Sequence, residues 1–432
     1  MGKKNILFTC CLVGAISFSS CEKNLYDESK QPEKEITMTD LEIPADFKWD
    51  LTQVSKGTTK ANVETMVSLY LDEKCSDSEK VATVPVYTKA LRLPLSLPTY
   101  ATTLYAKYQN ESGNQVTKPV TINPDGSYSL DITDAAEAKA TPTRAITRGY
   151  DIEDDIRFQG GVVYHPKNEW GTIMFEDQFP SLGDYDFNDF VVNYKVQFEV
   201  SKSKNKDYES KLILIGLRLK AVGGIYKYIP KLRLKEIQKS NVESIDISYY
   251  NKEEEIEANL SEDSKGNLII DCSSLIKNLD KHGSQYYNTE KSALVATNDL
   301  PEIIIIIELK EAEDVDDILE DDEFDLYLEN TENGTEIHMN GIEPVKYDYP
   351  SNNENLYPLH KSNGKIEDDN YYYSKDKLIW GLRVPDNAAH AIEKANFLEA
   401  YKNFAKWAKS GGKNSSNWYN QGNANQDLLI HN

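Results

Sequence analysis

Sulfur chemistry, long apolar runs and familiar catalytic signatures are what this 432-residue chain has least of. Only five cysteines occur, and no two stand in a CxxC pair, so neither a thiol-ligated zinc site nor a dithiol redox centre is encoded. The six histidines (His165, His282, His338, His360, His390 and His431) are scattered and never form HExxH. Each is expected as a surface residue or a hydrogen-bonded core residue. A GxSxG elbow, a P-loop and a dinucleotide fingerprint are missing too, so no enzyme class is indicated. No apolar run reaches 18 residues, which excludes a membrane-spanning helix in the body of the chain. Positive charge is also scarce: 48 basic residues face 71 acidic ones, a net charge of −23. Nucleic acid and anionic lipid headgroups are therefore poor partners, while divalent cations and neutral ligands remain open.

What is present begins with a leader. Lys3 and Lys4 precede an apolar stretch at 6–18 that ends in Ser19 and Ser20, a secretory signal over residues 1–20. The next residue, Cys21, is placed to accept diacylglycerol, although Phe18 departs from the usual leucine of a lipobox. Residues 21–40 are polar and charged and read as a flexible tether. That acidic, lysine-containing start resembles the surface-export signals of Bacteroidetes lipoproteins, which implies an outer-membrane lipoprotein, periplasmic or surface-exposed, held by lipid alone. Cys10 and Cys11 leave with the signal, so the body keeps Cys75 and Cys272 as isolated packing residues.

Residues 41–134 alternate in the manner of strands. Val63, Val67, Leu69 and Leu71 face one way while Glu64, Ser68 and Asp72 face the other. Pro94 and Pro98 suit strand ends, and Pro124-Asp125-Gly126 is a turn, so an immunoglobulin-like β-sandwich is expected. Residues 135–149, with Arg144 and Arg148, read as a solvated linker. A larger β-rich, jelly-roll-like domain is expected over 150–419, its most buried strand being the isoleucine run at 302–310. The acidic stretch at 311–324 reads as a solvated loop. Residues 388–412 carry apolar side chains at helical spacing between Pro385 and Gly411-Gly412, which predicts one amphipathic helix. Residues 420–432 read as a loosely ordered tail.

One segment, residues 175–200, stands apart. Asp184, Asp186 and Asn188 alternate with Tyr185 and Phe187, and Asp189 follows at once. Alternate residues of an extended chain point to one side, and a loop makes their oxygens converge. Calcium takes six to eight such oxygens in flexible geometry. Glu176 and Asp177, upstream of the turn at 180–183, are placed to approach from the preceding strand. Carboxylates about 4 Å apart repel by roughly 1 kcal/mol in water and by several at surface-like dielectric, so the cluster calls for a cation or for one acid to stay protonated. The competing reading is that these side chains cap turns and amides without metal. An EF-hand is excluded, because Asp189 and Lys195 stand where it needs glycine and glutamate.

The stretch FEDQFPSLGDYDFNDFVVNYKV resembles the signature of the LruC domain, found mostly in lipoproteins and surface proteins of Bacteroidetes. Glu176, Asp177, Gly183, Asp184, Asp186, Asn188 and Asp189 fall on that motif. Residues 324–345, the WGLRVP strand and the segment ending NFAKWAKSGGKNSSNWY are similar as well, so the likeness spans roughly 150–419. It implies a domain and a location but no reaction. Three functions compete on the residues alone. The first is a non-catalytic envelope protein presenting a calcium-stabilised β domain for adhesion or surface assembly. The second is a glycan-binding accessory lipoprotein using Tyr371-Tyr372-Tyr373 and Trp418-Tyr419. The third is a hydrolase with an acidic site.

Overall fold

The computed structural model describes residues 36–138, 160–202, 207–250, 254–320, 323–362, 365–366 and 370–432. The leader, Cys21, most of the tether and the linker arginines lie outside them. The chain is mainly β, and Thr37–Asn432 make up one compact unit. Its backbone is a 12-stranded sheet among the described residues. At its centre run three long antiparallel strands, Phe190–Lys202, Tyr208–Ala221 and Glu302–Asp314. Ile303, Ile305 and Ile307 are buried in the main core while Ile304 packs into a small cluster on the opposite face, as a strand covered on both sides requires.

One sheet runs across both halves of the sequence. Lys80–Val86 pairs with Gly161–His165, matching Ala82 to Val163 and Thr83 to Val162. The alternation at Thr65–Tyr70 buries Val67 and Leu69 in the same core as the isoleucine strand. The join needs a glycine. A Cβ on Gly161 would stand 2.5 Å from the Thr83 carbonyl oxygen and 2.7 Å from the Val84 Cα, both backbone atoms. Gly161→Ala is therefore expected to cost about 1–3 kcal/mol through strand displacement, read as a lower urea midpoint at unchanged slope.

Three expectations change. The acidic stretch after the isoleucines is no free loop: Glu311–Asp314 prolong the strand, with Glu313 and Asp314 paired to Ser210 and Glu209, before a short helix at Val315–Ile318. The single helix over 388–412 becomes a bridge strand, His390–Ala391, and two short helices, Phe397–Ala400 and Phe404–Lys409. Asn396 caps the first through Leu398 N–H, and Tyr401 breaks it in a non-helical conformation, its hydroxyl donating to the Ala389 carbonyl at 2.6 Å. The tail is ordered, because Leu429–Ile430 pairs with His390–Ala391 and both residues are buried. Cys75 and Cys272 are free thiols.

A second core gathers these C-terminal pieces. Trp407 and Trp418 are buried with Phe397, Tyr401 and Phe404, and the N-terminal Phe47 and Trp49 pack onto Trp407 with ring centroids 5.1 and 5.6 Å away. Met38 and Leu41 join them, within the compact unit that begins at Thr37.

Candidate metal centre

The acidic segment is a hairpin loop. Phe175 and Phe190 pair across Gly171–Phe175 and Phe190–Lys202, so residues 176–189 connect the two strands directly. Glu176 and Asp189 therefore sit at the two feet of the loop, where Asp177 N–H donates to Asp189 Oδ2 at 2.8 Å. Glu176 is fully buried and acts as the template. Its Oε2 accepts the Tyr185 N–H at 3.1 Å and its Oε1 the Phe187 N–H at 2.6 Å. Those two residues take left-handed backbone, φ 57° and 54°, which costs an aromatic residue free energy. Burial of both rings against Ala391, Phe397 and their neighbours offsets that cost. The loop is thus wound, not extended, and the winding brings the carboxylates together.

Glu176, Asp184 and Asp186 each offer an oxygen within 4.8 Å of the others. Asp184 is exposed, and the other two are 0% and 2% exposed. Asp186 Oδ2 accepts from Asn188 Nδ2 at 2.8 Å and from Lys394 N–H at 2.7 Å, which ties the loop to the C-terminal segment. Asn188 is fully buried, and its Oδ1 has no hydrogen-bond partner. A buried amide oxygen without a donor is costly and marks a place for a cation or another donor. Asp177 turns away from the trio; its Oδ2 accepts the Tyr226 N–H at 3.0 Å. Of the six residues singled out in sequence, Glu176, Asp184 and Asp186 form the tight cluster. Asn188 donates to Asp186, and Asp177 N–H is bonded to Asp189 across the base of the loop.

Electrostatics follow from burial and crowding. Burial, then Asp189, Asp186 and Asp184, push the Glu176 carboxyl well above the usual range. Burial, then Asp184, raise Asp186 to about 8; burial, then Asp177, raise Asp189 to about 9. The hydrogen bonds these groups accept come from backbone N–H groups and the Asn188 amide. Divalent charge would relieve the repulsion. Two glycines make room: a Cβ on Gly183 would strike Glu176 Oε2, and one on Gly223 would strike Asn188 Oδ1 and stand 2.9 Å from the Asn188 carbonyl oxygen. Gly223→Ala is expected to displace Asn188 and weaken any calcium response several-fold, measured by calorimetric titration.

Sequence reading missed two features. Glu393, whose carboxyl is raised by burial and then by Asp184, comes from the C-terminal segment next to Lys394, whose N–H donates to Asp186. A buried charge network links Arg233, Asp325, His338 and Glu336: Arg233 Nε donates to Asp325 Oδ2 at 2.9 Å, and His338 Nδ1 and Nε2 approach Asp325 at 2.9 Å and Glu336 at 3.2 Å. No local pattern signals partners 92 residues apart. The supposed sugar platforms are also corrected. Tyr372, Tyr373, Trp418 and Tyr419 are buried in the two cores, and Tyr371 is partly covered against Tyr349, because their area is needed for packing. Exposed aromatic surface lies instead at Tyr226 and Tyr250.

With the site in place, relatives give context. Residues 212–419 match DUF4842, a domain of unknown function. The match begins inside the Tyr208–Ala221 strand, after the acidic loop. A crystal structure described as a "putative lipoprotein" from Bacteroides ovatus shares the fold, with a TM-score of 0.59 at 19% identity. The alignment covers 85% of this chain and 99% of that one. A biofilm-associated protein B domain aligns with a TM-score of only 0.17 at 12% identity, over 75% of this chain and 96% of its own, which carries no argument. No curated protein matches. Among the described residues no helix is long and apolar enough to cross a membrane.

Proposed function

We propose that the protein is a non-catalytic outer-membrane lipoprotein, anchored through Cys21, whose hairpin loop binds calcium as a brace. The braced β domain serves adhesion or surface assembly. The observation that carries the metal is the cluster of Glu176, Asp184 and Asp186 oxygens, all within 4.8 Å of one another with Glu176 and Asp186 buried. Asp177 and Asp189 hold the loop's feet and complete its charge. The burial of Glu176 and Asp186 speaks against the hydrolase reading, since a general acid–base pair needs an open cleft for substrate. The likeness to LruC-domain lipoproteins and the fold shared with the Bacteroides ovatus structure agree with an envelope setting. There, free calcium near millimolar fills even a weak site.

The test is a thermal melt with calcium and with chelator. Saturating calcium at about a hundred times the dissociation constant adds about 2.7 kcal/mol, a rise of about 3–6 °C for a body of this size. Asp186→Ala is expected to lose that rise. An unshifted wild-type melt would overturn the reading.

A further inference from the structure

The end of the Tyr208–Ala221 strand carries a lysine whose charge has no counter-ion. Lys220 is 1% exposed, and its amine donates to Asn387 Oδ1 at 3.1 Å and to the Ala388 carbonyl at 2.8 Å. Both acceptors are neutral. A buried ammonium held only by carbonyl oxygens is costly, because nothing replaces the water it gave up. Acids on the neighbouring elements are engaged elsewhere: Asp386 with Lys167 at 2.5 Å, Glu302 with Arg218, and Glu290 with Ser284 and Ser292.

His390 repeats the problem. It is fully buried two residues beyond Ala388, its Nε2 donates to the Asn288 carbonyl at 2.7 Å, and its Nδ1 has no hydrogen-bond partner. Protonation would put an N–H on Nδ1 that meets no acceptor. Asn288 ties the two bases together, since its Nδ2 donates to the Lys220 carbonyl at 2.7 Å. The charges that bear on the pair are themselves basic: Arg218 on Lys220, His431 on His390, and Lys291 on His431. Among the described residues neither base meets a carboxylate.

These bases sit under a strap. Residues 387 and 388 are held to the sheet by Lys220, and the His390–Ala391 strand pairs with Leu429–Ile430 of the tail. Ala388 N–H donates to Thr172 Oγ1, Ile392 N–H to the Leu428 carbonyl, and Lys394 N–H to Asp186. The strap joins sheet, tail and acidic loop. A base that stays neutral under it and ionises freely in water favours the open form in acid.

We propose that the 386–394 segment is a pH-sensitive clasp, shut over neutral Lys220 and His390 and released when acid charges them. Burial, then Arg218, bring Lys220 down to about 7, against about 10.4 in water. Burial, then Lys220, bring His390 down to about 3, against about 6.5 in water. The lysine contribution is therefore lost as pH falls from the first of its values in water toward neutrality, and the histidine contribution follows below it. Between pH 8 and pH 5 the opening constant rises about tenfold through Lys220 and about thirtyfold through His390. Asp186 acts the other way, because acid neutralises its raised carboxyl, so Lys394 is left out of the readout.

The experiment is hydrogen exchange on the mature chain at pH 8 and pH 5, corrected for the intrinsic pH dependence of exchange. Chelator keeps calcium out of the measurement. Protection at Ala388 and Ile392 is read against the Glu302–Asp314 strand. Wild type is expected to lose about three-hundredfold at the clasp between the two pH values, with the strand unchanged. Lys220→Met should lose only about thirtyfold, and His390→Gln, whose amide still donates to Asn288, about tenfold. Unchanged wild-type protection, or equal loss in clasp and strand, would overturn the clasp. So would the full loss in both variants. If Lys220→Met fails to fold, His390→Gln and the wild-type comparison decide.

Discussion

Asp189→Asn is expected to make the protein more stable than wild type in chelator at pH 7, and less responsive to calcium. An asparagine Oδ1 keeps the hydrogen bond from Asp177 N–H and removes an ionisable group from the feet of the loop. Burial and Asp177 push the Asp189 carboxyl up to about 9, whereas an unfolded aspartate titrates near 3.9. The sign follows from that order. Below pH 4 the carboxyl is protonated in both states and nothing is lost; as pH rises toward 9, the unfolded chain ionises first and the native state loses stability. Asparagine escapes that loss. Its advantage in EDTA should be on the order of 1–4 kcal/mol at pH 7 and vanish near pH 4. In excess calcium the wild type recovers, because the ion meets a stronger field there than in the variant. Urea unfolding at the two pH values, with and without calcium, measures all four terms. A variant that unfolds more easily than wild type in EDTA at pH 7 would show that Asp189 is a structural cap and not a charge awaiting a cation.

The second large effect lies away from the loop. Asp325→Asn is expected to destabilise by about 3–5 kcal/mol, the cost of leaving buried partners uncompensated. Asp325 accepts from Arg233 Nε and Nη2 at 2.9 and 2.8 Å while His338 Nδ1 sits 2.9 Å away, and all three side chains are buried. His338 also stacks on Tyr327 with centroids 4.3 Å apart, so the carboxylate fixes a ring in the core. Nearby charge gives the pH signature. Despite burial, Asp325 and Glu336 together hold His338 above its ordinary value, so its contribution is present at low pH and lost as pH rises through the native value. His338 and Arg233 hold Asp325 below the carboxylate range, so that contribution is lost only in strong acid. Wild-type stability is therefore expected to fall from this network as pH rises past the ordinary histidine range, and the asparagine variant to be low and flatter there. A loss under 1 kcal/mol by urea unfolding would mean that the ion pair is neutral in effect.

How much of this was legible depends on what each residue reports. Alternation at Val67 and Leu69 and the isoleucine run identified strands, because burial on a pleated chain has a period of two. Alternation says nothing about partners, so the pairing of Ala82 with Val163 across the 135–149 stretch had no local sign. The helix over 388–412 was misread because its spacing is truly helical, yet tertiary bonds outcompete it. Tyr401 gives its hydroxyl to Ala389, and His390–Ala391 gives its backbone to the tail. The acidic loop was legible as a cluster because its members are near in sequence. Glu393 and the Tyr226 loop were not, since the chain brings them from more than 30 residues away.

The packing of Phe47 and Trp49 on Trp407 has a mechanical consequence. Under the proposed anchoring through Cys21, flow would pull the protein from its N-terminal end. Load entering at Thr37 reaches the aromatic knot before it reaches the Thr52–Val54 strand and its partner Ser96–Pro98. The knot would act as a fuse: it can peel, lengthen the tether and shed force while the sheet carrying the acidic loop stays intact. How long it holds is set by the rate of peeling under load and not by equilibrium stability.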